Sequence, residues 1–247
     1  MYEGMLAETI RYQGHGGDTI EAYYARPLGA GPWPGVVVIH HGLGWDEWTR
    51  EVVEKLARHG YATIAPSLWY REAPNASPDD AAAVMRAQGG EPDDRCIGDV
   101  ATAMHYLKAQ PYSNQKVGVI GFCSGGRQTY LVACRIPELN AAVDCWGGNV
   151  AVGPDKLTER QPMAPFDMTA DLACPLLGLF GNEDPNPDAD EVNRTEAALK
   201  QHGKTYEFHR YDGAGHAFFA THRPAYRVQQ ALDAWERIFT WYGKYLR

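Results

Sequence analysis

One short stretch restricts the possible folds more than any other. A β-rich run, Lys116 to Phe122, enters Gly121-Phe122-Cys123-Ser124-Gly125-Gly126 and leaves into a segment of helical character that runs to Ile136. A buried strand turned directly into a helix requires a layered α/β protein, with the turn at the carboxyl edge of the sheet. In so tight a turn, side chains two positions before and two after the central residue would strike neighbouring backbone, which accounts for Gly121 and Gly125. Moving the frame by one residue would put bulky Phe122 at a position that has to be small, so Cys123 is the residue presented at the apex.

The remainder of the chain alternates in the same way. Thr19 to Ala25, Val36 to Ile39, Tyr61 to Ala65, Ala141 to Trp146, Leu176 to Phe180 and Thr205 to Tyr211 have strand patterns. Val36-Val37-Val38-Ile39 is continuously aliphatic, as suits a strand buried on both faces. Helical spacing is seen over Glu47 to His59, Asp79 to Gln88, Asp94 to Gln110, Asp190 to His202 and Pro224 to Leu246. Pro66 to Gly90 reads as a long excursion around one helix, and residues 147–174 as a loop-rich insertion. Repeats, low-complexity tracts and dividing linkers are not found. The expected architecture is one α/β domain over residues 1–247, with a mostly parallel central sheet and helices on both faces; 247 residues suffice for one large core.

Charge and cysteine usage then exclude several classes of function. Lys+Arg 23 against Asp+Glu 31 gives a net charge of −8, which repels phosphate backbones and anionic lipid, so neither nucleic acid nor membrane is expected as a partner. The longest strongly apolar run is far too short to span a bilayer, and Met1-Tyr2-Glu3-Gly4-Met5 has no leader-like pattern; a cytoplasmic location is expected. The five cysteines, Cys96, Cys123, Cys134, Cys145 and Cys174, lack C-x-x-C spacing, against both a disulfide framework and a zinc ribbon. No metal site and no cofactor is expected: the G-x-x-x-x-G-K and G-x-G-x-x-G patterns are absent, and His40-His41 lacks a third ligand.

A thiol at a helix N-terminus is biased toward thiolate and suits nucleophilic catalysis. The Ser124 N–H is one candidate oxyanion donor, and the loop His40-His41-Gly42-Leu43-Gly44 supplies the second, with Gly42 favoured and Leu43 one register away. With the chain order nucleophile, acid, histidine, His216 after the last strand is the candidate base and Asp184 after Leu179-Phe180-Gly181 the candidate acid. The competing reading of the acidic loop is that it caps the helix starting near Asp190. His41 is a candidate lining residue. Of the aromatic residues Trp45, Trp48, Trp69, Trp146 and Phe218 near the rim, Trp146 and Phe218 are the favoured substrate-binding walls.

On these residues the chain resembles the dienelactone hydrolase (carboxymethylenebutenolidase-like) family of cysteine-dependent α/β hydrolases. The segment from Gln110-Pro111-Tyr112-Ser113-Asn114 through Gly121-Phe122-Cys123-Ser124-Gly125-Gly126 is similar to that family's approach to its nucleophile. Gly181 to Asp184 and Gly213 to Phe218 are similar to its acid and histidine segments. The resemblance implies an α/β-hydrolase fold and a Cys123, Asp184, His216 triad. Two positions depart from it. The family's Glu before the first oxyanion donor is His41 here, which implies activation of Cys123 directly by His216. The family's substrate-holding arginine four residues after the catalytic histidine is Ala220 here. Arg71, Arg86 and Arg127 read as solvated surface residues, so neutral esters or lactones are the expected small-molecule substrates. The expected activity is ester or lactone hydrolysis through an acyl-cysteine. The alternatives are phosphotriester hydrolysis at the same site and a catalytically silent small-molecule-binding protein; monomer and homodimer are left open.

Overall fold

The computed structural model describes residues 4–247; residues 1–3 of the N-terminal stretch read above for a leader lie outside them. Eight strands form one sheet: β1 (Met5–Gln13), β2 (Thr19–Pro27), β3 (Trp33–Ile39), β4 (Ala62–Pro66), β5 (Ser113–Phe122), β6 (Ala141–Cys145), β7 (Leu176–Gly181) and β8 (Tyr206–Tyr211). Their order is β1-β2-β4-β3-β5-β6-β7-β8. β1 and β2 pair antiparallel, β2 joins β4 antiparallel, and every pair from β4 to β8 is parallel. The sequence reading begins the sheet at Thr19 and omits β1. That strand is a largely solvated edge, MLAETIRYQ, in which only Tyr12 is buried, so it carries little apolar alternation.

The aliphatic run in β3 divides between two cores. Val37 and Ile39 enter one, Val36 and Val38 the other, and all four are fully buried. Each such side chain contributes about 1.5–3 kcal/mol relative to an exposed one. The first core is covered by α2 (Pro78–Ala87), α3 (Asp93–Lys108), α4 (Ser124–Arg135) and α5 (Ala189–Gln201), through Met85, Val100, Leu131 and Leu199 among others. The second is covered by α1 (Glu47–Arg58) and α6 (Val228–Tyr245), through Val52, Leu56, Trp235 and Ile238. The fold is that of the α/β hydrolases.

Helix starts follow their caps. Asp46 accepts from the Thr49 N–H at 2.9 Å, and Asp188 accepts from the Glu191 N–H at 2.8 Å. The last helix begins at Val228 rather than at Pro224, because residues 223–227 fold as a turn whose Arg227 N–H donates to the Phe218 carbonyl at 3.1 Å. The 147–174 insertion contains two short 3-10 helices, Pro154–Lys156 and Pro165–Asp171. No helix among the described residues is long and apolar enough to cross a membrane.

Candidate active site

β3, β5, β7 and β8 all point their carboxyl ends at one edge of the sheet, and each delivers one part of a single constellation. At the end of β5 the chain turns through Cys123, at φ 57° and ψ −121°, a strained conformation for a residue with a Cβ. The glycines make the turn possible. A Cβ on Gly121 would lie 2.0 Å from the Gly125 carbonyl oxygen, and one on Gly125 would lie 2.5 Å from that of Ile39. The Cys123 N–H donates to the Cys145 carbonyl at 3.1 Å, which ties the turn to β6.

Cys123 is partly exposed, and its sulfur meets three donors: the His216 ring and the backbone N–H groups of Gly42 and Ser124. Burial raises the Cys123 thiol pKa, but the His216 hydrogen bond and charge, followed by those two N–H groups, bring it below the ordinary thiol range. The other four cysteines behave in the opposite way. Burial pushes Cys134 and Cys174 up to about 12, and Cys96 and Cys145 well above the usual value.

His216, on the loop after β8, donates through Nδ1 to Asp184 Oδ2 at 2.8 Å. Asp184, on the loop after β7, is 5% exposed and accepts from the Asn186 N–H through Oδ1 at 2.9 Å. Burial opposes the charged ring, yet the hydrogen bonds to Asp184 and Cys123 and their charges carry His216 up to about 10. The arrangement sets a thiol with a lowered pKa against an imidazole with a raised one, with a carboxylate aligned on the ring and two N–H donors converging on the sulfur. The acidic loop divides between two contacts: Asp188 caps α5 while Asp184 bonds the His216 ring.

Cys123, Asp184, His216, Gly42 and Ser124 are therefore brought together. The three residues read as substrate walls are buried in the protein rather than on the rim of the site. His41 turns its Nε2 to Asp46 Oδ2 at 2.7 Å and lays its ring edge-on to Trp48 at 5.3 Å. Trp146 and Phe218 are 1% and 0% exposed, inside an aromatic cluster with Phe122 and Phe219 beneath the site. Trp146 also packs against His216 at 6.3 Å. The backbone of Trp146, at φ 44°, leaves its side chain in this core rather than on the rim.

A cavity of about 290 Å³ lies beside the turn at Cys123, lined by Gly42, Ser124, Trp69, Gln128 and Gln161 among others. A larger one, about 780 Å³, is lined by Trp33, His59 and Arg247 at the opposite edge of the sheet, far from the thiol. Of the three arginines read as surface residues, Arg86 lines the smaller cavity. Arg127 is instead buried and paired with Asp93 at 2.7 Å, and Arg71 is held by Asp99 at 2.8 Å. The sequence reading also misses Asp144, a fully buried carboxyl on β6 that burial pushes up to about 7 and that accepts from the Gly147 N–H at 2.8 Å. No spacing rule marks it. Gln128 does carry a signal, since it lies one helical turn beyond Ser124 on the same face of α4.

The model of the Dienelactone hydrolase family matches residues 20–246. A Salmonella typhimurium protein named "Putative carboxymethylenebutenolidase" is 35% identical over 234 residues, 93% of this chain and 84% of its own length. A Bradyrhizobium protein named "Probable 2-oxo-3-(5-oxofuran-2-ylidene)propanoate lactonase" is 31% identical over 94% of this chain and 93% of its own. Among solved structures, one named "Putative Dienelactone Hydrolase" from Klebsiella pneumoniae superposes with a TM-score of 0.89 at 30% identity, covering 98% of this chain and 100% of the other. A dienelactone hydrolase-like promiscuous phosphotriesterase from metagenomic libraries shares the fold, with a TM-score of 0.76 at 21% identity over 98% and 99% of the two chains.

Proposed function

The chain belongs to the dienelactone hydrolase family, and from that premise we propose that it hydrolyses carboxylic esters or lactones through an acyl-cysteine formed on Cys123. The observation that carries this reading is the meeting at one sulfur of the His216 ring and the Gly42 and Ser124 N–H groups, with Asp184 on the far nitrogen of the ring.

In this mechanism the Cys123 thiolate attacks the carbonyl carbon. The carbonyl oxygen takes up negative charge between the two N–H groups, which are already in place and need no reorganisation as the charge develops. Collapse of the tetrahedral intermediate breaks the ester C–O bond, and His216 gives its Nε2 proton to the departing alkoxide. For a lactone, the alcohol stays attached to the acyl group. The now neutral imidazole takes a proton from water, and the resulting hydroxide attacks the thioester. Breaking the C–S bond releases the carboxylic acid and the Cys123 thiolate, which with the imidazolium formed from the water proton restores the starting pair; the acid gives its own proton to solvent. Asp184 stays ionised throughout, fixing the tautomer and orientation of the ring and stabilising its charge. His41, held by Asp46, takes no part in these proton transfers.

The test is intact-mass detection of a trapped acyl-enzyme across a panel of esters and lactones, with Cys123→Ala and Cys123→Ser as controls. The expected result is a mass increment equal to the acyl group in the wild type and none in Cys123→Ala; an increment that persists in Cys123→Ala would refute the assignment. The phosphotriester reading is supported by fold likeness alone, so a dialkyl aryl phosphate is included in the panel. Multiple turnovers of it would establish that second activity, and stoichiometric inactivation would dismiss it.

A further inference from the structure

The mechanism gives no task to Asp144, although this carboxyl lies in the core directly behind the reacting groups. It is 1% exposed and stands on β6, the strand paired with the one that delivers Cys123. Its Oδ1 accepts from the Gly147 N–H at 2.8 Å. The surroundings leave no slack. A Cβ on Gly126 or on Gly147 would lie 2.4 Å from that same oxygen, and one on Gly147 would also lie 2.5 Å from the Gly126 carbonyl carbon and 2.6 Å from the Arg127 nitrogen. The carboxyl is thus wedged between the first turn of α4, the helix that begins beside the nucleophile, and the bend that follows β6. Burying a carboxyl is costly, and an apolar residue would occupy a strand interior without that cost. What the carboxyl adds here is an acceptor for one N–H of the bend.

That bend is strained, and it touches the reacting groups twice. Trp146 sits at φ 44°, in the left-handed region that a residue with a Cβ rarely enters. Immediately before it, the Cys145 carbonyl accepts the Cys123 N–H at 3.1 Å. The Trp146 ring itself packs against His216 at 6.3 Å, and its N–H donates to the Leu179 carbonyl on β7 at 2.9 Å. Cys123 is strained in the same sense, at φ 57°. Two strained positions therefore lie side by side at the ends of β5 and β6, one carrying the sulfur and the other carrying the indole that backs the imidazole. Such conformations persist only where the surroundings over-determine them, and the bond from Gly147 to Asp144 closes the bend around Trp146. We infer that Asp144 is a positioning residue: by accepting from the Gly147 N–H it holds Trp146 in its left-handed conformation, and so keeps the His216 ring in line with the Cys123 sulfur. The inference rests on the hydrolase reading above and gives Asp144 no contact with substrate and no proton transfer. Its working part is an acceptor oxygen rather than a charge, so an amide carbonyl in the same place serves equally.

The experiment compares wild type, Asp144→Asn and Asp144→Ala by two readings: kcat/KM on p-nitrophenyl acetate, and the pH midpoint for alkylation of Cys123 by iodoacetamide. In Asp144→Ala, kcat/KM is expected to fall by about tenfold to 100-fold, the scale of a small misplacement of reacting groups. The alkylation midpoint is expected to move upward, because the His216 hydrogen bond is the first influence that lowers the Cys123 thiol against burial. Asp144→Asn is expected to restore both readings, kcat/KM to within about threefold of wild type. A residue that only stabilised the fold would lower the thermal midpoint and move neither reading. Both readings unchanged in Asp144→Ala, or Asp144→Asn as impaired as Asp144→Ala, overturns the positioning role. Should Asp144→Ala not fold, Asp144→Val, which refills the strand interior without an acceptor, is read in its place; if neither folds, the carboxyl is a folding determinant and the positioning role is overturned. Failure of the hydrolase reading looks different: the wild type forms no acyl adduct on Cys123 and turns over none of the esters or lactones, while the alkylation midpoint still reports whether Asp144 sets the geometry of the sulfur and the ring.

Discussion

Two histidine–aspartate couples lie in neighbouring loops of this molecule and differ in what else touches the ring. His216 and Asp184 meet at 2.8 Å, and His41 and Asp46 at 2.7 Å. In the first, the histidine side chain is 35% exposed and also engages the Cys123 sulfur. In the second, the ring is only 10% exposed and lies against Trp48, while its carboxylate caps α1 and accepts from both the N–H and the hydroxyl of Thr49. The contrast teaches that a short bond between imidazole and carboxylate does not by itself make a catalytic pair. What matters is whether the remaining edge of the ring faces a nucleophile or a wall. The second couple clamps the loop that presents the Gly42 N–H, a loop also closed by the Gly44 N–H donating to the His41 carbonyl at 2.9 Å.

Substitutions test this division directly. Removing the nucleophile has the largest expected effect: Cys123→Ala lowers kcat/KM on an activated ester by about 10,000-fold or more, read by steady-state kinetics. Asp184→Asn comes next, with a loss of about 100- to 10,000-fold in kcat at unchanged folding by circular dichroism, because the ring loses its tautomer and its counter-charge. Asp46→Ala is expected to do the reverse, costing about 1 kcal/mol of stability in denaturant titration through the lost cap while kcat/KM falls less than about tenfold. If Asp46→Ala matched Asp184→Asn in kcat, the two couples would be functionally alike and the contrast would fail.

pH separates them further, since their shifts have opposite signs. His216 is raised from 6.5 to about 10, so its charged state stabilises the fold fully below pH 6.5, and that contribution is lost as pH rises through about 10. Burial pushes the Asp46 carboxyl up, but His41 and Thr49 outweigh it and hold it at about 2, below its ordinary 3.8; its contribution is present above pH 3.8 and lost as pH falls toward 2. The difference in unfolding midpoint between wild type and His216→Gln is therefore expected to shrink on the alkaline side, and that between wild type and Asp46→Ala on the acid side. A smaller effect is expected in labelling. Iodoacetamide alkylates Cys123 in the native protein at a pH below that of an ordinary thiol and spares the four buried cysteines; in His216→Gln the pH midpoint moves upward. Equal labelling of Cys134 or Cys174 in the folded state would contradict the depressed thiol at the turn.

What the sequence disclosed and what it withheld divide along physical lines. The turn at Cys123 was legible because part of its constraint is local: a side chain at Gly121 would strike the Gly125 carbonyl within the same turn, whereas Gly125 must avoid Ile39 and His40 on the neighbouring strand. The alternation of strands and helices was legible for β3, whose aliphatic residues serve two cores at once. β1 was not, because an edge strand with most of its residues solvated shows little period-two contrast. Trp146 and Phe218 face the core rather than the rim, since proximity to a strand end does not say which way a side chain faces. Gln128 was overlooked despite its spacing of one helical turn from Ser124, because a polar residue on a helix is ordinarily solvated, whereas the fold buries this one against a cavity.

The glycine-flanked bend has a last consequence for how such an enzyme can be altered. Position 123 sits in a socket held open by its two flanking glycines, since a Cβ at 121 or 125 would strike the main-chain oxygen of Gly125 or of Ile39, and neither oxygen belongs to the reacting group itself. The atom plugged into that socket can be exchanged, sulfur for oxygen, without rebuilding the mount, whereas the mount accepts no substitution at all. Laboratory diversification of this scaffold is therefore best aimed at the plug and at the distant walls, with residues 121 and 125 held fixed.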